Sequence, residues 1–216
     1  MAVKIQTVRD FGDGWWVDAD HRIPCSKSST YLEQPSILVL HWTAAPYKSL
    51  PENLARIKRW AANSGEKSST HFSILRDGTI YQLVPTTRAA WHAGQSEWTR
   101  VDGKHYPPRK TETSINRYAL GIDFDLVGPV TRYPDGRWVD CYGGTYSGPQ
   151  PEYSDQTRKW YEPVQLPQLQ SCRMLVDALV ARFGIALHDV VGHVDVSPGR
   201  KIDPGPFITH ESLGLE

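Results

Sequence analysis

The sequence predicts an α/β fold: a single domain with a central mixed β-sheet flanked by helices and carrying extra loop and hairpin insertions. Three segments carry this expectation. Residues 37–40, Ile-Leu-Val-Leu, form a continuous apolar run that suits a strand covered on both faces. Thr70 to Val84 reads as a hairpin, with Asp77-Gly78 between two β-rich arms. Gln165 to Phe183 sets Leu169, Cys172, Leu175, Val176, Leu179, Val180 and Phe183 at helical intervals and stops at Gly184. In 216 residues one sizeable core is the simplest arrangement.

Residues 1–36 are expected to be an N-terminal extension packing on the core, with the main domain over 37–210. After the first strand a helix should begin near Pro51, because proline suits a first turn and Leu54, Ile57, Lys58 and Ala61 recur at helical spacing. It should end near Asn63-Ser64-Gly65. In the hairpin, Asp77-Gly78 fits a two-residue primed turn. Leu120, Ile122, Phe124 and Leu126 then alternate with Gly121, Asp123 and Asp125, so one strand face is apolar and the other carries two carboxylates. Insertions are expected near 96–114 and 129–164. The second holds the turn signal Tyr133-Pro-Asp-Gly-Arg137 and reads as an extra hairpin and loop.

Composition narrows the function classes. The 24 basic and 24 acidic residues cancel and no Lys/Arg run stands out, which argues against a nucleic-acid partner. No run approaches the roughly 20 apolar residues that span a bilayer, so stable membrane insertion is not expected. The opening residues lack the apolar core of a signal peptide, which predicts synthesis in the cytoplasm. Cys25, Cys141 and Cys172 are odd in number and form no CxxC pair, which argues against a disulfide framework and a four-cysteine zinc.

Chemistry-bearing residues gather in two places. His41 ends the buried strand, and residues 192–205 empty into a Pro/Gly loop containing His193, Arg200, Lys201 and Asp203. Lys201 and Asp203 would face the same way if that loop is locally extended. A catalytic zinc commonly takes three ligands of the His, Asp or Glu type and leaves a fourth position open.

Five motifs follow in order: LHWTA from Leu40, STHFSILRDGTIYQLVP from Ser69, WHAG from Trp91, Asn116-x-x-x-x-Gly-Ile-Asp123, and GHxDxxPGRKxDPG from Gly192. Together they resemble the type 2 N-acetylmuramoyl-L-alanine amidases, a superfamily that includes phage lysozyme-type amidases and peptidoglycan recognition proteins. The likeness runs from about Ile37 to Phe207, and its last motif is the most specific. It implies a Zn2+ cofactor on His41, His193 and Asp203, and Lys201 facing the reacting carbonyl. The reaction implied is hydrolysis of the amide between N-acetylmuramic acid and L-alanine, in peptidoglycan or a muropeptide. Catalytic members often present a Glu where Asp123 stands, one methylene longer, so the acid-base group is Asp123 or Asp125. The likeness also places Trp91 and His92 along the muropeptide groove; His71 and Asn116 are further substrate-binding candidates, and Arg88 and Arg200 are candidate bidentate clamps for stem-peptide carboxylates, with Arg88 one residue out of the family position.

Two rival readings stay open: a peptidoglycan-binding module without catalysis, and a zinc peptidase acting on stem peptides. A monomer is expected. An endolysin released through a membrane pore, a recycling enzyme and a delivered effector all suit the chain. The endolysin is favoured because no repeat-rich wall-binding segment is visible in the sequence.

Overall fold

The computed structural model describes residues 8–108 and 114–215. Residues 1–7 of the N-terminal extension and 109–113 of the first insertion lie outside the described residues.

The central sheet has five strands: β1 (Ile37–Trp42), β2 (Phe72–Ile74), β3 (Ile80–Gln82), β4 (Ala119–Phe124) and β5 (Val190–Gly192). Their order is β5-β1-β4-β2-β3. The pairs β5 with β1, β1 with β4 and β2 with β4 are parallel, and β2 with β3 is antiparallel, so the sheet is mixed. The continuous apolar run of β1 follows from its position. Leu38 and Leu40 enter the core beneath one face, while Ile37 and Val39 join Ala119, Ile115 and Val191 on the other.

Two helices cover the sheet. Helix α1, Leu50–Ala62, opens with Pro51 in its first turn, and the Glu52 carboxylate accepts from the Ser49 N–H at 3.1 Å and its hydroxyl at 2.6 Å. It buries Ile57 and Ala61 against Leu75, Leu83 and Ala90. Helix α2, Leu166–Phe183, buries Cys172, Leu175, Val176 and Leu179 against Leu38, Phe72, Leu120 and Phe124. Gly184 caps it in the left-handed region. Cys25 and Cys172 are buried and free, and Cys141 is exposed and free. No helix among the described residues is long and apolar enough to cross a membrane.

The β2–β3 turn corrects the sequence expectation. It has three residues, Arg76-Asp77-Gly78: the Gly78 N–H donates to the Leu75 carbonyl and the Leu75 N–H to the Thr79 carbonyl, each at 2.9 Å. Gly78 alone in this turn takes a positive φ, 85°, whereas a two-residue primed turn needs two such residues or a leading glycine. A Cβ at Gly78 would lie 2.7 Å from the Pro167 carbonyl oxygen, so the tip packs tightly on the start of α2. The extra residue, Arg76, turns inward. Its guanidinium donates to Asp125 at 2.6 Å and to Glu162 at 2.6 and 3.1 Å.

The segments outside the sheet are built onto it. Trp16 and Val17 enter the α2-side core, and Ser28–Ser29 pairs with Ala89–Ala90. In the first insertion Trp98–Thr99 pairs with His105–Tyr106. Residues 129–164 form a four-stranded antiparallel sheet ordered Trp138–Val139, Pro129–Arg132, Lys159–Tyr161, Glu152–Ser154. Tyr161 anchors it by packing its ring 6.0 Å from Trp42 and 6.0 Å from Phe207.

Candidate active site

Parallel strands deliver their C-terminal ends to one edge of a sheet, and ligands of α/β folds bind there. Here β5, β1 and β4 are neighbours, with Gly192 opposite Leu40 and His41 opposite Asp123. His193 follows β5 directly and opens a single helical turn, His193–Val196, where the sequence suggested only a loop. The chain then returns through Ser197 to Asp203, whose carbonyl accepts from the Val194 N–H at 2.8 Å. His41, His193 and Asp203 thereby meet, all buried.

The protonation states follow from the partners behind each ring. His193 Nε2 lies 3.1 Å from the Ala93 carbonyl oxygen, which can only accept, and the tautomer that makes this bond leaves Nδ1 bare; the Arg200 guanidinium stands farther from the same nitrogen, at 3.4 Å. The same logic passes through two rings to His41. His92 Nε2 faces the Ala119 carbonyl oxygen at 3.5 Å, which leaves His92 Nδ1 bare, and that atom stands 2.9 Å from His41 Nε2. His41 therefore donates Nε2–H to His92 and turns a bare Nδ1 inward. Burial holds His41 down at about 4 and His92 well below the usual histidine range, so both rings are neutral near pH 7.

Three lone pairs then converge. His41 Nδ1 and His193 Nδ1 are 2.9 Å apart, and Asp203 Oδ2 lies 3.1 Å from the first and 2.9 Å from the second. Bare donors that close repel one another unless a cation lies among them. Zinc ligands at 2.0–2.1 Å in tetrahedral array stand roughly 3.3 Å apart, close to the observed spacing. Two imidazoles and a carboxylate are also the donor types that a divalent transition metal takes, and burial holds the His41 ring neutral for that purpose.

A cavity of about 370 Å3 opens over this cluster. Lys201, Asp123, Trp91, His92 and Tyr142 line it. Lys201 and Asp203 both line it, although the loop is not extended there: the Lys201 N–H donates to the Ser197 carbonyl at 3.0 Å and the Gly205 N–H to the Ile202 carbonyl at 3.1 Å, both turn bonds. Burial pushes the Asp123 carboxyl up to about 7, with the Thr70 hydroxyl bond opposing and the Asp203 charge adding to the rise. Trp91 is fixed at the rim by its indole N–H, which donates to the Ser29 hydroxyl at 2.8 Å.

Several residues expected along the groove do other work. Asp125 is fully buried and accepts from Arg56 at 2.8 Å and Arg76 at 2.6 Å, which removes it as an alternative base. His71 is also fully buried. Its Nδ1 accepts from the Gly121 N–H at 2.9 Å, and its Nε2 lies 2.9 Å from the Arg88 carbonyl oxygen and 2.8 Å from the Tyr31 hydroxyl, so it ties strands together. The Asn116 side chain accepts from the backbone N–H groups of His92 and Ala93 at 3.2 and 2.8 Å. Arg88 lies outside the cavity and reaches Ser28. Arg200 donates to the Ala93 carbonyl at 2.9 Å and to the Ser96 and Ser197 hydroxyls, bracing the loop behind His193. His92 does line the cavity, but both its ring nitrogens face partners, His41 Nε2 at 2.9 Å and the Ala119 carbonyl oxygen at 3.5 Å, so it stands behind His41. Gly121 makes room for it, since a Cβ there would lie 2.7 Å from His92 Cγ.

Comparison with known proteins gives a consistent picture. A family model described as N-acetylmuramoyl-L-alanine amidase matches residues 31–206. The chain is 28% identical over 187 residues to N-acetylmuramoyl-L-alanine amidase AmiD of Escherichia coli (strain K12), an alignment spanning 83% of this chain and 52% of AmiD. It is 24% identical over 211 residues to 1,6-anhydro-N-acetylmuramyl-L-alanine amidase AmpD of Citrobacter freundii, covering 90% of this chain and 87% of that protein. The chain thus spans about half of AmiD and most of AmpD. In three dimensions it is similar to a selenomethionine derivative of AmpD, with a TM-score of 0.58 at 22% identity over 94% of this chain and 96% of that one. That likeness is one of fold. The E. coli AmiD complex with the substrate anhydro-N-acetylmuramic acid-L-Ala-D-gamma-Glu-L-Lys matches with a TM-score of 0.55 at 25% identity, over 86% of this chain and 58% of that one.

Proposed function

The chain belongs to the N-acetylmuramoyl-L-alanine amidase family, and from that premise we propose that it is a zinc-dependent hydrolase of the amide between N-acetylmuramic acid and L-alanine. The observation that carries the reading is the convergence of three bare donors beneath a cavity that Lys201 and Asp123 also line. His41, His193 and Asp203 would hold the zinc. Bound there, zinc supplies Lewis acidity, polarising a carbonyl oxygen and lowering the pKa of water toward about 7.

The protein's own groups carry the proton and the charge. Asp123, whose carboxyl burial pushes upward, accepts a proton from the attacking water as the carbon–oxygen bond forms. It passes that proton to the amine of L-alanine as the carbon–nitrogen bond breaks. Lys201 donates to the carbonyl oxygen as negative charge develops on it. His92 keeps His41 in the ligating tautomer, and the Ala93 carbonyl does the same for His193. The products are the muramoyl carboxylate and a free stem peptide.

The relatives' names give two forms of the sugar, N-acetylmuramoyl and 1,6-anhydro-N-acetylmuramyl, so peptidoglycan and a 1,6-anhydro-muropeptide are the two substrates to compare. Both are tested by mass spectrometry of the soluble products after the zinc-loaded protein acts on each. Stem peptides beginning at L-alanine, with the glycan intact, are expected. Cleavage inside the peptide would make it a peptidase, and retention on the wall without products would make it a binding module.

A further inference from the structure

Tyr142 occupies the tip of the Asp140–Gly144 loop and is 67% exposed, yet it lines the cavity over the metal cluster. Among the described residues its ring joins no aromatic pair and its hydroxyl makes no hydrogen bond. The backbone beneath it is firmly held. The buried Asp140 carboxylate accepts from the N–H groups of Tyr142 and Gly144, both at 2.9 Å, and the Asp140 N–H donates to the Gly144 carbonyl at 2.9 Å. The strand carrying the loop belongs to the insertion sheet, which Glu162 fixes to Arg76 and Tyr161 fixes to Trp42 and Phe207. A braced loop under an aromatic ring that contributes nothing to the core is an arrangement for contact with a molecule outside the chain.

We propose that Tyr142 is a substrate-contact residue that stacks its ring on the saccharide of the muropeptide, an assignment that rests on the amidase reading. The chemistry of the reacting bond selects the sugar. On the amine side stands alanine, whose methyl is too small to cover a phenol ring, and in a stem such as L-Ala-D-γ-Glu-L-Lys the residues beyond it carry charged groups and present no flat apolar face. On the acyl side stands a pyranose, which presents a face of C–H groups to an aromatic surface and directs its hydroxyls to polar groups such as Ser68 and Glu66 of the same cavity. The 129–164 insertion therefore builds one wall of the groove, and its role is to select substrates that carry the sugar.

The test compares Tyr142→Ala and Tyr142→Phe with the wild type, each as the zinc-loaded full chain. Hydrolysis of a soluble N-acetylmuramoyl peptide would be followed kinetically, and calorimetry would measure its binding, and that of the sugar-free peptide L-Ala-D-γ-Glu-L-Lys, with Tyr142 and each of its variants placed in the Asp123→Asn background so that the ligand is not consumed. Tyr142→Ala is expected to raise KM and Kd for the muropeptide about 2- to 10-fold, the range of one aromatic contact, with kcat and Tm unchanged. Tyr142→Phe should behave as wild type, and the sugar-free peptide should not distinguish the three. Equal muropeptide affinity in Tyr142→Ala and wild type overturns the assignment, as does an equal loss for both ligands. A wild type that binds the muropeptide without hydrolysing it would sink the amidase reading, while the binding comparison would still decide the role of Tyr142.

Discussion

His92 touches no substrate atom in the proposed reaction, yet its replacement should loosen the metal. The Ala119 carbonyl fixes the His92 tautomer, His92 Nδ1 accepts from His41 Nε2–H at 2.9 Å, and His41 Nδ1 is left bare toward Asp203 and His193. Substituting His92→Phe keeps a ring of similar size but removes the acceptor. His41 Nε2–H is then a buried donor without a partner, which costs roughly 1–3 kcal/mol. The ring escapes that cost by flipping or changing tautomer, and either change withdraws its Nδ1 lone pair from the cluster. Loss of a partner that orients a metal-bound histidine typically weakens metal binding about 10- to 100-fold, or roughly 1.4 to 2.7 kcal/mol, in agreement with the cost of the orphaned donor.

The assay is competition for zinc between the protein and a chelator of known affinity, with thermal unfolding of the metal-free protein as a control on the fold. His92→Phe should bind zinc about 10- to 100-fold more weakly while the metal-free protein melts near the wild type. Gly121→Ala should shift affinity in the same direction, because its Cβ would occupy the place of the His92 ring. If His92→Phe holds zinc as tightly as the wild type, the relay from Ala119 to His41 does not orient the ligand and the reasoning is refuted.

Three further outcomes are expected. Lys201→Ala should lower kcat about 10²-fold or more with zinc still bound, by analogy with losing one oxyanion donor, and steady-state kinetics beside metal analysis would check it. Asp123→Asn should lower turnover about 10²- to 10⁴-fold without loss of zinc, since the amide cannot take the water proton, and single-turnover rates would show it. His71 gives a pH dependence in stability: burial holds it at about 4 in the fold against 6.5 in the unfolded chain. The unfolded state takes up the proton first as pH falls, so stability present above 6.5 is lost between 6.5 and 4, by up to about 3 kcal/mol. Denaturant unfolding across that range should give a shallower slope for His71→Gln than for the wild type.

The elements legible in the sequence are those whose signal is local. The continuous run at Ile37 to Leu40 signals a doubly covered strand, and helix α2 shows its buried stripe and its Gly184 stop directly in the residue order. The length of the hairpin turn is not written in its own residues because it depends on a distant contact. Asp77-Gly78 satisfies a two-residue turn as well as a three-residue one, and the choice is tied to Arg76 reaching carboxylates at positions 125 and 162. That network also explains why Asp125, spaced like a second catalytic acid, is a structural anion. Alternation fixes which face a side chain takes but not whether an arginine from another element covers it.

The candidate site shows the same division at finer grain. His41, Asp123 and His193 lie at or just beyond the ends of three adjacent parallel strands, and the loop after β5 folds back to bring Lys201 and Asp203 to them, so motifs far apart in the sequence meet. The histidines behind them could not be sorted in that way. His71 and His92 stand in similar company in the sequence and come near each other in space, with ring centroids 5.8 Å apart. Their roles diverge through their partners alone: a Gly121 N–H makes His71 an acceptor at Nδ1 and so a tie between strands, whereas His41 makes His92 an acceptor at Nδ1 and so a support of the His41 ring. Both roles use the same atom of the same residue type. The small distinction is the neighbour that donates to it, and that neighbour is set by the register of β1, β4 and β2, which no residue pattern within either motif encodes.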